Sequence, residues 1–129
     1  MQHPTIDYQN IFEATPKKCA LLNSLTDDFE LISVTDDFVQ LTKLSREELI
    51  GTSIFKHFTG NAKENELQEK LQSCISEKRV TTLDKFQSDI IDFSGKSIEK
   101  NWNISIKPII KDNQVQMILL TFEDITEEV

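Results

Sequence analysis

The sequence has little that indicates a membrane segment, a secreted protein or a nucleic-acid-binding surface. No apolar run approaches the roughly 18 to 20 residues that span a bilayer, and residues 1–5 lack a basic segment followed by an apolar stretch. Lysine and arginine form no cluster beyond the pairs Lys17-Lys18 and Lys78-Arg79, and the net charge is -8. Because such a chain repels phosphate backbones, we expect no nucleic-acid partner. We expect a cytoplasmic location, either free or as the cytoplasmic part of a membrane-anchored receptor.

Histidine and cysteine are scarce, with two of each. Cys19 and Cys74 are far apart and have apolar neighbours, which predicts reduced core residues rather than a disulfide. His3 lies near the N-terminus, and His57 lies between two phenylalanines, where we expect a surface or capping role. Since none of the four has a partner at ligand spacing, the sequence predicts no metal site.

The 129 residues are enough for one domain with its own core. Residues 6–14 predict a short amphipathic helix that ends at Thr15-Pro16. Its apolar positions, at the spacing i, i+3 and i+4, are Tyr8, Ile11 and Phe12. We expect this N-terminal helix to dock outside the core.

The next segment predicts a hairpin and two short helices. Residues 19–25 and 29–34 are apolar runs separated by Thr26-Asp27-Asp28, which indicates two adjacent antiparallel strands. Asp36 or Asp37 is predicted to cap the first helix, and Ser45 the second. The second helix has the capping-box spacing, with Glu48 three residues after Ser45, and Gly51 follows it.

The middle and end of the chain predict one long helix and three more strands. Residues 54–58 form an apolar turn before a helix over residues 62–78, whose buried stripe is Leu67, Leu71, Cys74 and Ile75. Strands are predicted over residues 81–92, from residue 98 onward with alternating apolar positions, and over residues 115–122. The last run is apolar enough for a central strand covered on both faces. The expected fold is α+β, a five-stranded antiparallel sheet covered on one face by short helices and one longer helix.

Two segments resemble the PAS domain family of sensory domains. VTDDFVQLT and LSREELIG, residues 34–42 and 44–51, are similar to the exit of the second strand and the helices after it, and FEDITE, residues 122–127, resembles the Asp-Ile-Thr ending. Departures are Thr35-Asp36 where the family commonly has Asn-Pro, and Lys43-Leu44 where it commonly has Gly-Tyr. The resemblance implies an N-terminal helix in residues 1–15, a PAS domain in 16–126 and the start of an output helix in 127–129.

The family resemblance implies detection of a small ligand or partner and relay to an output module, here a histidine kinase or related regulator in the parent protein, with no catalysis by the domain itself. A sheet roofed by short helices can leave a pocket. The expected lining residues are Phe38, Leu41, Phe55, Phe58, Leu71, Trp102, Ile104 and Leu119.

Signal relay and dimerisation are assigned to the two ends of the chain. Asp124, Ile125 and Thr126 are the expected relay residues, because Asp124 or Thr126 can cap a helix starting near Ile125. A chain that stops at the start of a helix is expected to come from a longer protein. Homodimerisation is expected through Tyr8, Ile11 and Phe12 together with the outer face of the sheet.

The cofactor is left unassigned. A flavin-linked photosensor needs a reactive cysteine in a Gly-x-Asn-Cys-Arg context, whereas Cys74 lies on the predicted buried stripe. Heme binding usually needs a histidine on or near the long helix, and residues 62–78 contain none. The resemblance therefore argues against both.

Two further hypotheses remain open. One is a PAS module without a ligand, used for dimerisation and relay, with a core filled by side chains. The other, more remote, is a small α+β enzyme with Asp84 or Asp89 as general base near Trp102, for which the sequence offers no partner acid or oxyanion donor.

Overall fold

An antiparallel sheet in the order β2-β1-β6-β5-β4-β3 is the framework of the fold. The computed structural model describes residues 8–26, 28–42, 44–56, 58–59, 62–91 and 95–125. The strands are β1 Lys18–Asn23, β2 Leu31–Val34, β3 Phe58–Thr59, β4 Thr81–Ile91, β5 Ser97–Lys111 and β6 Gln114–Asp124. The predicted α+β fold with five antiparallel strands is confirmed, and the two-residue β3 adds a short edge strand.

The last strand occupies the middle of the sheet. β6 pairs with β1 from Lys18↔Phe122 to Asn23↔Met117. On its other edge it pairs with β5 from Trp102↔Asp124 to Lys111↔Gln114. β6 is therefore paired on both edges over residues 117–122.

The helices form in segments whose apolar residues recur every three or four positions instead of every second position. They are α1 Tyr8–Glu13, α2 Asp36–Thr42, α3 Arg46–Leu49, a 3₁₀ turn Ile54–Lys56 and α4 Ala62–Glu77. The predicted capping box at α3 is confirmed, because the Ser45 side chain accepts the Glu48 N–H and the Glu48 carboxylate accepts the Ser45 N–H. After α3, Gly51 has φ +86°, a left-handed conformation that glycine adopts without steric strain.

One face of the sheet and the helices share a single buried cluster. The predicted stripe of α4 lies in it, with Leu67, Leu71 and Cys74 fully buried and Ile75 packed at its margin. Burial of a Leu-sized side chain contributes about 1.5 to 3 kcal/mol, so this face holds the helices on the sheet. The strand residues that meet them are Ala20, Leu22, Leu83, Phe86, Trp102, Ile104, Ile106, Ile118, Leu120 and Phe122.

The opposite face of the sheet is only partly covered. Met117 and Leu119 of β6 alternate with the buried Ile118 and Leu120 and are half-buried. Leu119 lies opposite Leu21 of β1, which is also half-buried. The expectation that the last strand is covered on both faces is therefore corrected: it is central, but the described residues bury it fully on one face only.

Thr35, rather than Asp36 or Asp37, caps α2. Its hydroxyl accepts the Phe38 N–H at 3.4 Å and the Cys19 N–H at 3.0 Å, and donates to the carbonyl of Lys17. The Thr35 side chain is fully buried. Because β2 ends at Val34, the Thr35 hydroxyl takes the place of a backbone acceptor for the Cys19 N–H. Thr35, at the position where the family commonly has Asn, thus connects α2 to the start of β1 by hydrogen bonds.

Replacing Thr35 by valine removes this hydroxyl with little change of shape. Because the Cys19 and Phe38 N–H groups lose an acceptor, we expect a loss of about 1 to 3 kcal/mol in the free energy of unfolding. Urea unfolding followed by the fluorescence of Trp102 measures it. Thr35→Ser is the matched control and should keep most of the stability. A valine variant as stable as the wild type would contradict the role given to the hydroxyl.

Candidate functional site

Four of the eight predicted pocket residues come together between the helices and the sheet. Phe38 lies on α2, Leu71 on α4, and Trp102 and Ile104 on β5. All four are buried with at most 1% of their surface exposed and belong to the same cluster. They converge because α4 packs against β4 and β5, while α2 packs against β1 and its Phe38 contacts Phe122 of β6.

Phe122 of β6 lies at the centre of this group, although the sequence analysis did not assign it there. Its ring centroid is 5.7 Å from that of Phe38 and 5.7 Å from that of Trp102. The Trp102 contact is edge-to-face, the arrangement that aromatic quadrupoles favour. The signal was present in the sequence, since Phe122 has the same parity along the strand as Leu120 and Ile118.

The other predicted pocket residues lie in different environments. Leu41 and Phe55 pack against the margin of the cluster, and Phe55 makes an edge contact with Phe29 at 6.0 Å. Phe58 begins β3, and its side chain lies outside the described part of the structure. Leu119 does not join the group, because the alternation of β6 places it on the opposite face of the sheet. The prediction is corrected for this residue.

The interior also contains two polar groups near Ile106 of β5. The Cys74 thiol points at the Ile106 carbonyl at 3.9 Å. Thr81 lies opposite Ile106 in the β4–β5 register, and its buried hydroxyl has no hydrogen-bond partner among the described residues. A buried hydroxyl without a hydrogen-bond partner is unfavourable.

Burial raises the pKa of the Cys74 thiol to about 11. The thiol is therefore protonated at neutral pH and a poor nucleophile. Cys19 is also buried, and neither cysteine is in a disulfide. The sequence prediction of reduced core cysteines is in agreement with these positions.

The end of β6 is fixed to the core by the residue that follows it. Asp124 closes the β5–β6 ladder opposite Trp102 and has an exposed side chain. Ile125 is buried, and its N–H donates to the Asn101 carbonyl at 2.9 Å. Thr126 lies outside the described residues, and so does any helix after it. Two of the three predicted relay residues thus lie where the sheet ends, beside the aromatic core.

A cleft of about 420 Å³ adjoins this end of the sheet. It is lined by the segment that enters β1, by the end of β6 and by Asp37 of α2. Charged groups of both signs line it beside apolar atoms. The lining residues are Pro16, Lys17, Lys18, Asp37, Thr121, Phe122, Glu123 and Asp124. The cleft therefore joins the segment after α1 to the predicted relay residues.

The N-terminal helix α1 presents its apolar residues to solvent. Tyr8 is 75% exposed and Ile11 59% exposed, while Phe12 is half-buried. α1 has no buried residue. Exposed apolar side chains of this size on a short helix are a feature of surfaces that bind another protein.

The remote enzyme hypothesis finds no arrangement to support it among the described residues. Asp84 lies in the β4 bulge with its side chain exposed, away from the buried Trp102. The side chain of Asp89 and the whole of His57 lie outside the described part. In the described ranges, no three His, Cys, Asp or Glu side chains gather to hold a metal ion. No helix there is both long and apolar enough to cross a membrane.

The sequence matches a family model for the PAS domain over residues 18–127. The match covers most of the chain, so the chain belongs to the PAS domain family, whose members are generally sensory rather than catalytic. A search of curated proteins found no significant relative.

Solved structures share the fold at low sequence identity. The PAS domain of the fruit-fly ELK potassium channel is 22% identical, with a TM-score of 0.66 over 91% of this chain and 93% of that one. The PAS domain of an HTR-like protein from Haloarcula marismortui is 14% identical, with a TM-score of 0.66 over 91% and 88%. A LOV protein from Rhodobacter sphaeroides is 8% identical, with a TM-score of 0.72 over 90% and 64%. At these identities the likeness establishes the fold alone.

The raised pKa of Cys74 leads to a prediction about alkaline pH. The folded state holds the thiol proton more tightly than the unfolded chain, so stability is full below the usual thiol pKa of 9.0 and falls as pH rises toward about 11. We expect this fall in the free energy of unfolding to be reduced in Cys74→Ala, measured by urea unfolding at pH 8, 9 and 10. Equal pH dependence in both proteins would contradict the burial of this thiol.

Proposed function

We propose that this PAS domain is a sensory relay module of a larger cytoplasmic signalling protein, with a histidine kinase or related regulator as the output module. Residues 16–126 form the sensory domain in this proposal, residues 1–15 its N-terminal helix and residues 127–129 the start of the output helix. The signal is a small ligand or a partner that changes the packing between the helices and the sheet. No catalytic step is assigned to the domain.

The observation that carries the proposal is the position of β6. The strand pairs on both edges, carries Phe122 into contact with Phe38 and Trp102, and ends at the buried Ile125. A change in the packing of α2 against the sheet therefore acts on the strand that leads out of the domain. Relay through this path requires only small shifts of side chains and backbone. In a densely packed core, displacement of one side chain moves the side chains next to it.

The fully buried state of Phe38, Leu71, Trp102 and Ile104 supports relay by repacking of side chains, since these side chains fill the region where a pocket was expected. In this form of the proposal the domain receives its signal from a partner or a second copy.

Ligand sensing is the second candidate, and the buried unpaired hydroxyl of Thr81 favours it. A polar ligand atom near Thr81 and the Ile106 backbone would satisfy that hydroxyl. Such a ligand enters only when α4 moves away from the sheet, because α4 packs against β4 and β5 and the Cys74 thiol contacts the Ile106 carbonyl.

Native mass spectrometry with an absorbance scan of freshly purified protein separates the two candidates. The relay form predicts the mass of the polypeptide alone and no absorbance above that of the aromatic residues. A bound molecule that is lost in Thr81→Val but kept in the surface control Thr82→Val would overturn it in favour of ligand sensing.

The relay path is tested in the parent protein through Ile125. Ile125→Ala removes the side chain that fixes the end of β6, so we expect a several-fold change in basal or signal-dependent output with a loss of about 2 to 4 kcal/mol in the free energy of unfolding of the domain. Ile110→Ala, on an exposed position of β5, is the control and should leave output unchanged. If the Ile125→Ala protein has the same output as the wild type, relay through the end of β6 is contradicted.

Homodimerisation through α1 is part of the proposal, supported by the exposure of Tyr8 and Ile11. Replacing Ile11 and Phe12 by glutamate places charge in the apolar surface, and we expect the mass from light scattering to shift from dimer to monomer. Leu25→Glu, an equally exposed position between β1 and β2, is the matched control. An unchanged mass for the double variant would remove this interface.

A further inference from the structure

Arg46, the first residue of α3, contacts three other elements of the fold. One Nη donates to the Val34 carbonyl at the end of β2 at 3.0 Å and to the Asp36 carboxylate at the start of α2 at 2.7 Å. Its Nε lies 3.6 Å from the Glu13 carboxylate at the end of α1. The capping box at Ser45 fixes the first turn of α3 and with it the backbone of Arg46.

The contact with Glu13 is incomplete. The Arg46 Nε is buried, yet it has no hydrogen bond among the described residues, because 3.6 Å is too long for one. The same oxygen of Glu13 accepts the Gln9 side-chain amide at 3.2 Å. A short movement of α1 toward α3 would let the Arg46 Nε–H donate to the Glu13 carboxylate. A movement away would leave the Nε–H without an acceptor.

We propose that Glu13 and Arg46 form a latch that holds α1 against the helices covering the sheet and closes or opens as those helices move. Arg46 moves with α3 and is bound to the start of α2, so a displacement of either helix changes its distance to Glu13. The fork of the guanidinium lets one side chain bind Glu13, Asp36 and a backbone carbonyl together, which a lysine cannot do in this geometry.

The latch adds to a shallow attachment of α1, which packs against β2 with Phe12 and Glu13 half-buried. None of its residues is buried, and its hydrogen bonds from Ala14 and Thr15 run back into the same helix. The side chains of the pair are shielded, Arg46 being 28% and Glu13 17% exposed. By comparison, the surface pair Arg79–Glu77 has 72% and 47% exposure and joins neighbouring residues. Shielding makes the first pair the stronger restraint.

The segment that follows α1 leads from the latch to the end of β6. The segment after α1, Pro16 to Lys18, lines the same cleft as Glu123 and Asp124 at the end of β6. Release of α1 therefore changes the surroundings of the relay residues. This regulatory consequence rests on the relay function proposed above, whereas the latch itself can be tested without it.

The latch is tested by amide hydrogen exchange of Ala14, whose N–H donates to Asn10 at 3.1 Å and reports whether α1 is formed. Glu13→Gln and Arg46→Gln should each speed this exchange about five- to ten-fold, as expected for one shielded charge-assisted contact, and the double variant should be no faster than either. Glu77→Gln is the control and should leave Ala14 unchanged.

Additive effects of the two substitutions, or an unchanged rate in Glu13→Gln, would overturn the latch. If Arg46→Gln does not fold, added NaCl replaces it: salt should speed Ala14 exchange in the wild type and have no effect in Glu13→Gln, and equal salt dependence overturns the proposal. In the parent protein, Glu13→Gln should change output several-fold. If Glu13→Gln leaves output unchanged while Ile125→Ala alters it, the latch does not regulate output. Relay through β6 would remain supported.

Discussion

The fold depends on the insertion of the last strand between the first and the fifth. β6 closes the sheet by pairing with β1, which lies about a hundred residues earlier, and with β5, its hairpin neighbour. Until that long-range pairing forms, β1 and β2 have no sheet to join, and the helices have no complete face to cover. The same insertion brings the segment after α1 next to the exit of the domain, since Lys18 and Phe122 face each other. The segment after α1 and the end of β6 thus lie at the same end of the sheet.

The two faces of β6 have different roles. Ile118, Leu120 and Phe122 pack under the helices, whereas Met117 and Leu119 lie on a face that the described residues leave half-covered. β6 has side chains on both faces of the sheet, and the buried Ile125 follows it at the end of the described chain.

The sequence predicted the elements whose pattern is regular over many residues. The long stripe of α4 and the alternation from Trp102 to Ile106 were visible because burial repeats with the period of the helix or strand. Prediction from the sequence failed where a single side chain contacts elements that are far apart in the sequence. Thr35 replaced the predicted aspartate caps because its hydroxyl also reaches β1, and Arg46 gave no signal because its partners are brought together only by the tertiary structure. β3 is too short for a pattern, and Leu119 was misplaced because a continuous apolar run hides the parity of its residues.

Hydrogen exchange at Ile125 tests the central claim most directly. If the end of β6 is part of the core, the Ile125 amide, bonded to Asn101, should exchange only through global unfolding, with the same opening free energy as the Leu120 amide in the middle of the strand. Exchange of Ile125 many-fold faster than Leu120, and insensitive to mild denaturant, would show that the exit opens locally. The core would then be uncoupled from the segment that leaves the domain, and relay through β6 would be ruled out.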